Sequence, residues 1–243
     1  APVLLLVGSF FEGGIRLAVW CLVAVITVAS ALSAARGNEE GKSAWRINAS
    51  HFAERHALFV IISLGEVVVA IGVAAAGASA GFAIVIGLGV LVAAALACSL
   101  WWAYFAFVPR AGEHALARAP DHERGRVARD LFTFGHFPIV FGIMLYALTA
   151  KHVVADPFHH LGASDLFALA AAVALFAGGL TLLRWRNVHS VGFERPIAIV
   201  IVALICAAGL FLPGLVVVAA VTVVLVVMQA VTLRRLRGVR ASG

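Results

Sequence analysis

His56 to Gly77 reads HALFVIISLGEVVVAIGVAAAG, an apolar run in which a single carboxylate, Glu66, is the only ionisable group between Leu58 and Ala76. About 20 apolar residues at 1.5 Å rise cross roughly 30 Å of hydrocarbon, so the run is long enough to span a bilayer as a helix. A charge near the centre of such a span costs about 2.5 to 3.5 kcal/mol on insertion scales unless it is paired, hydrated or protonated. Glu66 is therefore the first residue for which a function has to be sought.

The rest of the chain repeats this pattern. Hydrophobic residues make up 63% of it and charged residues 12%, with a mean hydropathy of +1.05. A soluble domain is about a quarter charged, which excludes a water-soluble core here. Helices satisfy their own backbone groups in lipid, so the sequence predicts an all-α fold, a polytopic transmembrane helix bundle of about seven spans. The spans run approximately over 15–35, 56–77, 81–108, 131–150, 163–183, 196–212 and 214–233, as a single transmembrane domain over 1–243. Two connections, Gly77 to Gly81 and Leu212 to Gly214, are short enough to make their flanking helices antiparallel neighbours, with Pro213 marking the second corner. Pro196 suits a first helical turn.

Alternating these spans across the membrane sorts the basic residues. Of the 18 Lys and Arg, all but Arg16 and Lys151 fall on one face. The positive-inside rule makes that face cytoplasmic and places the C-terminus there. The formal net charge of +6 then reflects topology and contact with anionic lipid headgroups. No aromatic-basic module accompanies it, so no nucleic-acid partner is expected.

The opening APVLLLVGSFF, Ala1 to Phe11, is apolar but too short to span and lacks the basic n-region of a signal peptide. It reads as the end of a preceding span. Candidate partners are accordingly N-terminal helices outside this sequence or a second copy of the chain. Cys21, Cys98 and Cys206 each fall within a span and read as small buried hydrophobes. Asn48 and Ser50 are candidate N-caps for the helix that carries Glu66, and the sequon they form falls on the predicted cytoplasmic face.

Few polar residues lie where they bear on function. Arg55 and Glu66 share a helix face with Phe59 and Ile62, but about 16 Å of helix axis separates them, so they do not pair. His136, one and a half turns into the fourth span and two residues before Pro138, is the best candidate partner for Glu66. Pro138 also frees a carbonyl one turn upstream, near Phe134, that another group must satisfy. A buried His and Glu on facing helices can form a charge-assisted hydrogen bond or a proton relay. Depth argues for an intervening water or polar group. The competing reading makes Glu66 a protonated packing contact and His136 an interfacial residue. His51, Glu54 and Arg55 form a candidate polar cluster at the cytoplasmic end of the same helix.

Trp101, Trp102, Tyr104 and Phe105 read as an interfacial aromatic belt. The segment from Arg110 to Arg129 reads as an amphipathic connection over the membrane surface. His152, Asp156, His159, His160 and Asp165 are ligand-type residues, but their spacing matches no compact metal motif, and neither metal nor cofactor is expected. Lys42 and Lys151 both lie in loops, so no span offers the buried lysine of a retinal Schiff base. No nucleophile elbow and no HExxH helix occurs, and the chain is not expected to be an enzyme.

HFAERHALFVIISLGEVVVAIG, His51 to Gly72, resembles the signature of the bacterial low temperature requirement A (LtrA) family of polytopic membrane proteins. WWAYF, Trp101 to Phe105, resembles that family's tryptophan-pair segment, and LFTFGHFPIVFGIML, Leu131 to Leu145, its later helix with a His-x-Pro step. Glu66, His51, Glu54, Arg55 and His136 match the pattern. Val67 and Ala106 depart from it, replacing a small hydroxyl residue and an aspartate, and the acidic Phe-rich segment with which members usually begin has no counterpart here. The resemblance implies a bacterial inner-membrane protein named for growth in the cold, with no reaction or substrate attached. Two expectations follow. One is a transporter-like or channel-like protein in which Glu66 relays a proton or binds a cation. The other is a non-transporting component that supports the envelope or binds a partner in the cold, with Glu66 and small-residue steps such as Ala70 to Ala74 serving helix packing.

Overall fold

The computed structural model describes residues 2–36, 48–77 and 83–241, and among these there is no strand, only an isolated bridge between His160 and Pro213. The chain divides into two compact units, Ala1–Arg46 and Ile47–Gly243. Lys42, Arg46 and the connection from Gly77 to Gly81 fall partly or wholly outside the described residues.

The first unit holds α1 (Pro2–Ser9) and α2 (Gly13–Arg36). Gly13 turns the chain between them at φ +60, a left-handed conformation that glycine adopts without a Cβ penalty.

The second unit begins with α3 (Ala49–Ala76), capped as expected by Asn48, whose side chain accepts from His51 N at 3.3 Å. There follow α4 (Ala83–Phe105), α5 (Val108–Arg118), α6 (Asp121–Ala128), a π-turn (Arg129–Phe134) and α7 (Gly135–Ala155). The chain ends with α8 (Ala163–Val188), α9 (Glu194–Ala208), a 3₁₀ turn (Gly209–Phe211) and α10 (Gly214–Ala241). Six helical stretches among the described residues of this unit are long and apolar enough to cross a membrane. Six of the expected seven spans correspond to these stretches, and the first falls on α2. The segment from Arg110 to Arg129, expected as a surface connection, is built from α5 and α6.

Helix α7 is the centre of the second unit, packing on α8, α3 and α4. Its fully buried Ile139, Ile143, Tyr146, Ala150 and Val153 recur at alternating steps of four and three, the stripe that keeps one helix face against its neighbours. Lipid tails are as apolar as Leu, so such burial gains little transfer energy in a bilayer, and close packing and interhelical hydrogen bonds hold the helices instead. Glycine supplies the close packing. A Cβ on Gly142 would lie 2.6 Å from Ala172 O and 2.9 Å from Phe176 N, so α7 touches the α8 backbone directly; from α8, a Cβ on Gly179 would meet Ile139 at 2.7 Å. Hydrogen bonds supply the rest. Tyr146 Oη donates to Ala93 O at 2.7 Å, joining α7 to α4, and Gln229 Nε2 donates to Ser99 O and Oγ, both at 2.8 Å, joining α10 to α4.

Candidate functional site

Polar side chains converge at the end of the second unit that holds the α3 start, the π-turn, the α8 end and the α9 start. The π-turn is the local cause. Each π-turn residue offsets the carbonyl ladder, and Pro138 withholds an N–H one turn later. His136 lies between these two irregularities. Its Nδ1 is 3.0 Å from Leu131 O, and since a carbonyl only accepts, Nδ1 carries the hydrogen. Its Nε2 is 2.7 Å from Tyr104 Oη on α4. The neutral ring protonated at Nδ1 satisfies both contacts at once, with the Tyr104 hydroxyl donating to Nε2. The upstream carbonyl that takes a side-chain donor is therefore Leu131, rather than the expected group near Phe134.

Both members of this pair are buried, Tyr104 completely. Aromatic rings enclose them. Phe132 stacks on His136 at 5.6 Å between centroids, and His56 approaches His136 edge-on at 5.3 Å. His56 donates from Nδ1 to Phe52 O at 2.9 Å, which holds its ring on the inner face of α3.

A cavity of about 230 Å³ adjoins the pair. His136, Leu131 and Phe132 form one wall, and Arg184, Arg195 and Thr232 contribute from α8, α9 and α10. Glu194 is buried and shared between two arginines. Arg184 donates to its Oε1 at 3.3 Å and Arg235 to its Oε2 at 3.1 Å. One carboxylate thus ties α8, α9 and α10 together. Arg195 is 8% exposed, and among the described residues its Nε and Nη1 have no hydrogen-bond partner.

The residues predicted from sequence are distributed differently from the expectation. His136 is at the centre of the site, but its ring nitrogens are taken by Tyr104 and Leu131, so the expected pairing with Glu66 is not formed. Glu66 lies on the outward face of α3 with Phe59, Ile62, Val69 and Val73, all exposed, while the next residue, Val67, is fully buried. Among the described residues Glu66 makes no hydrogen bond or ion pair. His51, Glu54 and Arg55 are also exposed and do not join the His136 cluster. The aromatic quartet divides. Trp101 and Trp102 are about half exposed, at 47% and 50%, as a belt requires, whereas Tyr104 points into the bundle. Successive residues on a helix turn by about 100°, so a four-residue cluster has to present different faces.

Sequence reasoning did not single out His56, Tyr104, Glu194 or Arg195 as site residues. His56 had a signal, its spacing of four and then three residues to Val60 and Ser63, both inward. Arg184 and Arg195 carried none, since arginines at span ends read as lipid anchors. At the opposite end of α7, His152 Nδ1 meets Asp165 Oδ1 at 2.8 Å. Among the described residues no three His, Cys, Asp or Glu side chains converge as a metal site.

Apolar helices of membrane-crossing length, packed through glycines and interhelical hydrogen bonds, define a multi-pass helical membrane protein. The model of the bacterial low temperature requirement A protein (LtrA) matches residues 1–230, and the chain belongs to that family. An uncharacterized protein of Rhizobium meliloti (strain 1021) is 36% identical over 127 residues, covering 51% of this chain. The matched segment spans 29% of that protein's length. No solved structure matches the chain.

Proposed function

We propose that this chain is the helical core of a transporter-like protein of the bacterial inner membrane, in which the Tyr104–His136 pair relays a proton beside a cavity. The observation that carries the reading is the 2.7 Å contact between Tyr104 Oη and His136 Nε2, buried within membrane-length helices and next to a cavity. A hydroxyl and an imidazole in hydrogen-bond contact exchange a proton with little motion, and His56 is a second imidazole at van der Waals distance. Ionisable groups inside spans are expensive and take functional roles by default. The accumulation of basic residues at the site's end supports a cytoplasmic location for it and for the C-terminus, against anionic headgroups.

Glu66 belongs to the same proposal as a proton or cation ligand, with a qualification drawn from its position. It faces away from the described bundle, so its partner has to come from a second copy, from helices outside the second unit, or from water. The test is flux. Full-length protein in vesicles with an entrapped pH-sensitive dye should show proton-coupled flux that Glu66→Gln, His136→Gln and Tyr104→Phe each abolish. Unchanged flux in all three variants refutes the proposal.

A second reading has its own support. The Tyr146–Ala93 and Gln229–Ser99 bonds tie helices together without bordering the cavity, as a non-transporting envelope component requires. Cold growth retained in a variant with lost melting stability and no flux phenotype selects this reading.

A further inference from the structure

Arg195 is the anomaly in the second unit. A guanidinium has five N–H donors and no acceptor capacity, and it stays protonated in proteins, so burying it without a partner is strongly unfavourable. Yet Arg195 is more than nine-tenths buried, and two of its three nitrogens, Nε and Nη1, have neither solvent contact nor a partner among the described residues. The charge around it is unbalanced as well. Arg184, Arg195 and Arg235 gather about one carboxylate, Glu194, whose two oxygens are occupied by Arg184 and Arg235. Arg195 is therefore the cation left over, and it lines the cavity together with Arg184.

The other walls are of opposite character. Phe107, Val108, Leu131, Leu180 and Leu183 border the same space, so a small hydrated anion would leave much of the cavity dry and unfilled. At about 230 Å³ the cavity is below the roughly 300 to 1,000 Å³ of drug-sized pockets. It holds a headgroup and the first carbons of a chain, and no whole lipid. Val188 lines the cavity and is itself exposed, which puts it at the mouth.

From these observations we infer that the cavity is a binding site for a phosphate monoester with a hydrocarbon body, its phosphate held by Arg195 and Arg184. Such a ligand supplies the missing counter-charge and fills the apolar walls in one molecule. Two sources carry this chemistry, phosphatidic acid of the surrounding bilayer and a free organic phosphate monoester. The site is independent of proton relay at Tyr104, and it stands or falls without any flux measurement.

The test uses purified protein in a zwitterionic detergent and three probes: dioctanoyl phosphatidic acid, dioctanoyl phosphatidylcholine and the water-soluble monoester butyl phosphate. Binding is read by calorimetry and by ligand-induced shift in melting temperature. Phosphatidic acid should bind saturably, at least tenfold more tightly than phosphatidylcholine, and Arg195→Gln should weaken it at least tenfold. Tighter binding of phosphatidic acid than of butyl phosphate supports a lipid source. Equal, Arg195-dependent binding of the two supports a free phosphate. Equal binding to wild type and Arg195→Gln, or no saturable binding of either phosphate probe, overturns the inference.

Two further variants separate this from a structural role. Arg195→Met removes an uncompensated buried charge, so it should raise the melting temperature of the ligand-free protein while losing the ligand-induced shift. A fall in both indicates that Arg195 only supports the fold and overturns the inference. Val188→Trp changes an exposed residue and should close the mouth, weakening phosphatidic acid with all arginines in place; undiminished binding counts against this cavity.

Discussion

Tyr104 on α4 and His136 on α7 are joined by a 2.7 Å hydrogen bond between two buried side chains. The bond is the meeting point of an irregular backbone and a buried polar pair, because the π-turn leaves the Leu131 carbonyl where the other ring nitrogen of His136 reaches it. Tyr104→Phe strips Nε2 of its donor and should lower stability by about 1 to 3 kcal/mol in a denaturation series, the usual cost of an unsatisfied buried acceptor. Tyr104→Phe combined with His136→Phe should cost less than the sum of the single changes. Strict additivity in that double-mutant cycle contradicts the bond.

Glu66 and Val67 are neighbours with opposite surroundings, and the same experiment should treat them differently. Because Glu66 is exposed and unpaired among the described residues, Glu66→Gln should shift the stability of this chain by no more than about 0.5 kcal/mol. Val67→Ala empties a fully buried position and should cost more, roughly 1 to 3 kcal/mol. A large loss in Glu66→Gln alone means that Glu66 has a structural partner beyond the described residues.

Two glycines on facing helices, Gly178 on α8 and Gly142 on α7, make a sharper pair. Gly178→Ala meets nothing within 4 Å and should be neutral or slightly stabilising through helix propensity. Gly142→Ala, on the facing helix, drives a Cβ against the Ala172 carbonyl and the Phe176 amide and should cost about 1 to 3 kcal/mol. Melting temperatures of the two variants in the same detergent check this, and equal values contradict the close contact.

Glu194 holds two arginines, and Glu194→Gln leaves both without a carboxylate. Arg235 is largely exposed and its pair is screened, but Arg184 is mostly shielded, so the loss should be about 1 to 3 kcal/mol. Arg235→Gln alone should cost under about 1 kcal/mol and depend on salt, as an exposed pair does. Denaturation at low and high ionic strength distinguishes the two.

Much of the architecture is legible in the sequence because lipid imposes a length and an apolar composition on every span. The same condition hides which way a span faces. A helix that is apolar all round carries no amphipathic stripe, so nothing in Phe59, Ile62 and Val69 distinguished the outward face of α3 from the inward one of Val60, Leu64 and Val67. Glu66 was therefore recognisable as unusual but not as outward. Tyr104 was hidden for the opposite reason, since the two tryptophans before it explained the whole cluster as a belt. Arg195 was hidden by its location at a span end, where a sequence gives an arginine lipid headgroups for company and only the packing of α8, α9 and α10 reveals that it is enclosed. His136 was legible as a site residue, while its partner was not, because the partner depended on which helix packs beside α7.

The bare contact of α7 with α8 at Gly142 has a mechanical consequence. With backbone against backbone there is no layer of side chains to shear, and an axial slip of one turn would bring Pro138 or Tyr146, each with a Cβ, to the place where Gly142 meets the Ala172 carbonyl. The two helices consequently behave as one stiff beam, which carries His136 and Arg184 in fixed register. Arg195 and Thr232 are mounted on α9 and α10, outside that beam. Any change in the cavity's size is then a displacement of α5, α9 or α10 against a stationary wall, and the Glu194 clasp between Arg184 and Arg235 is the joint across which that displacement is transmitted.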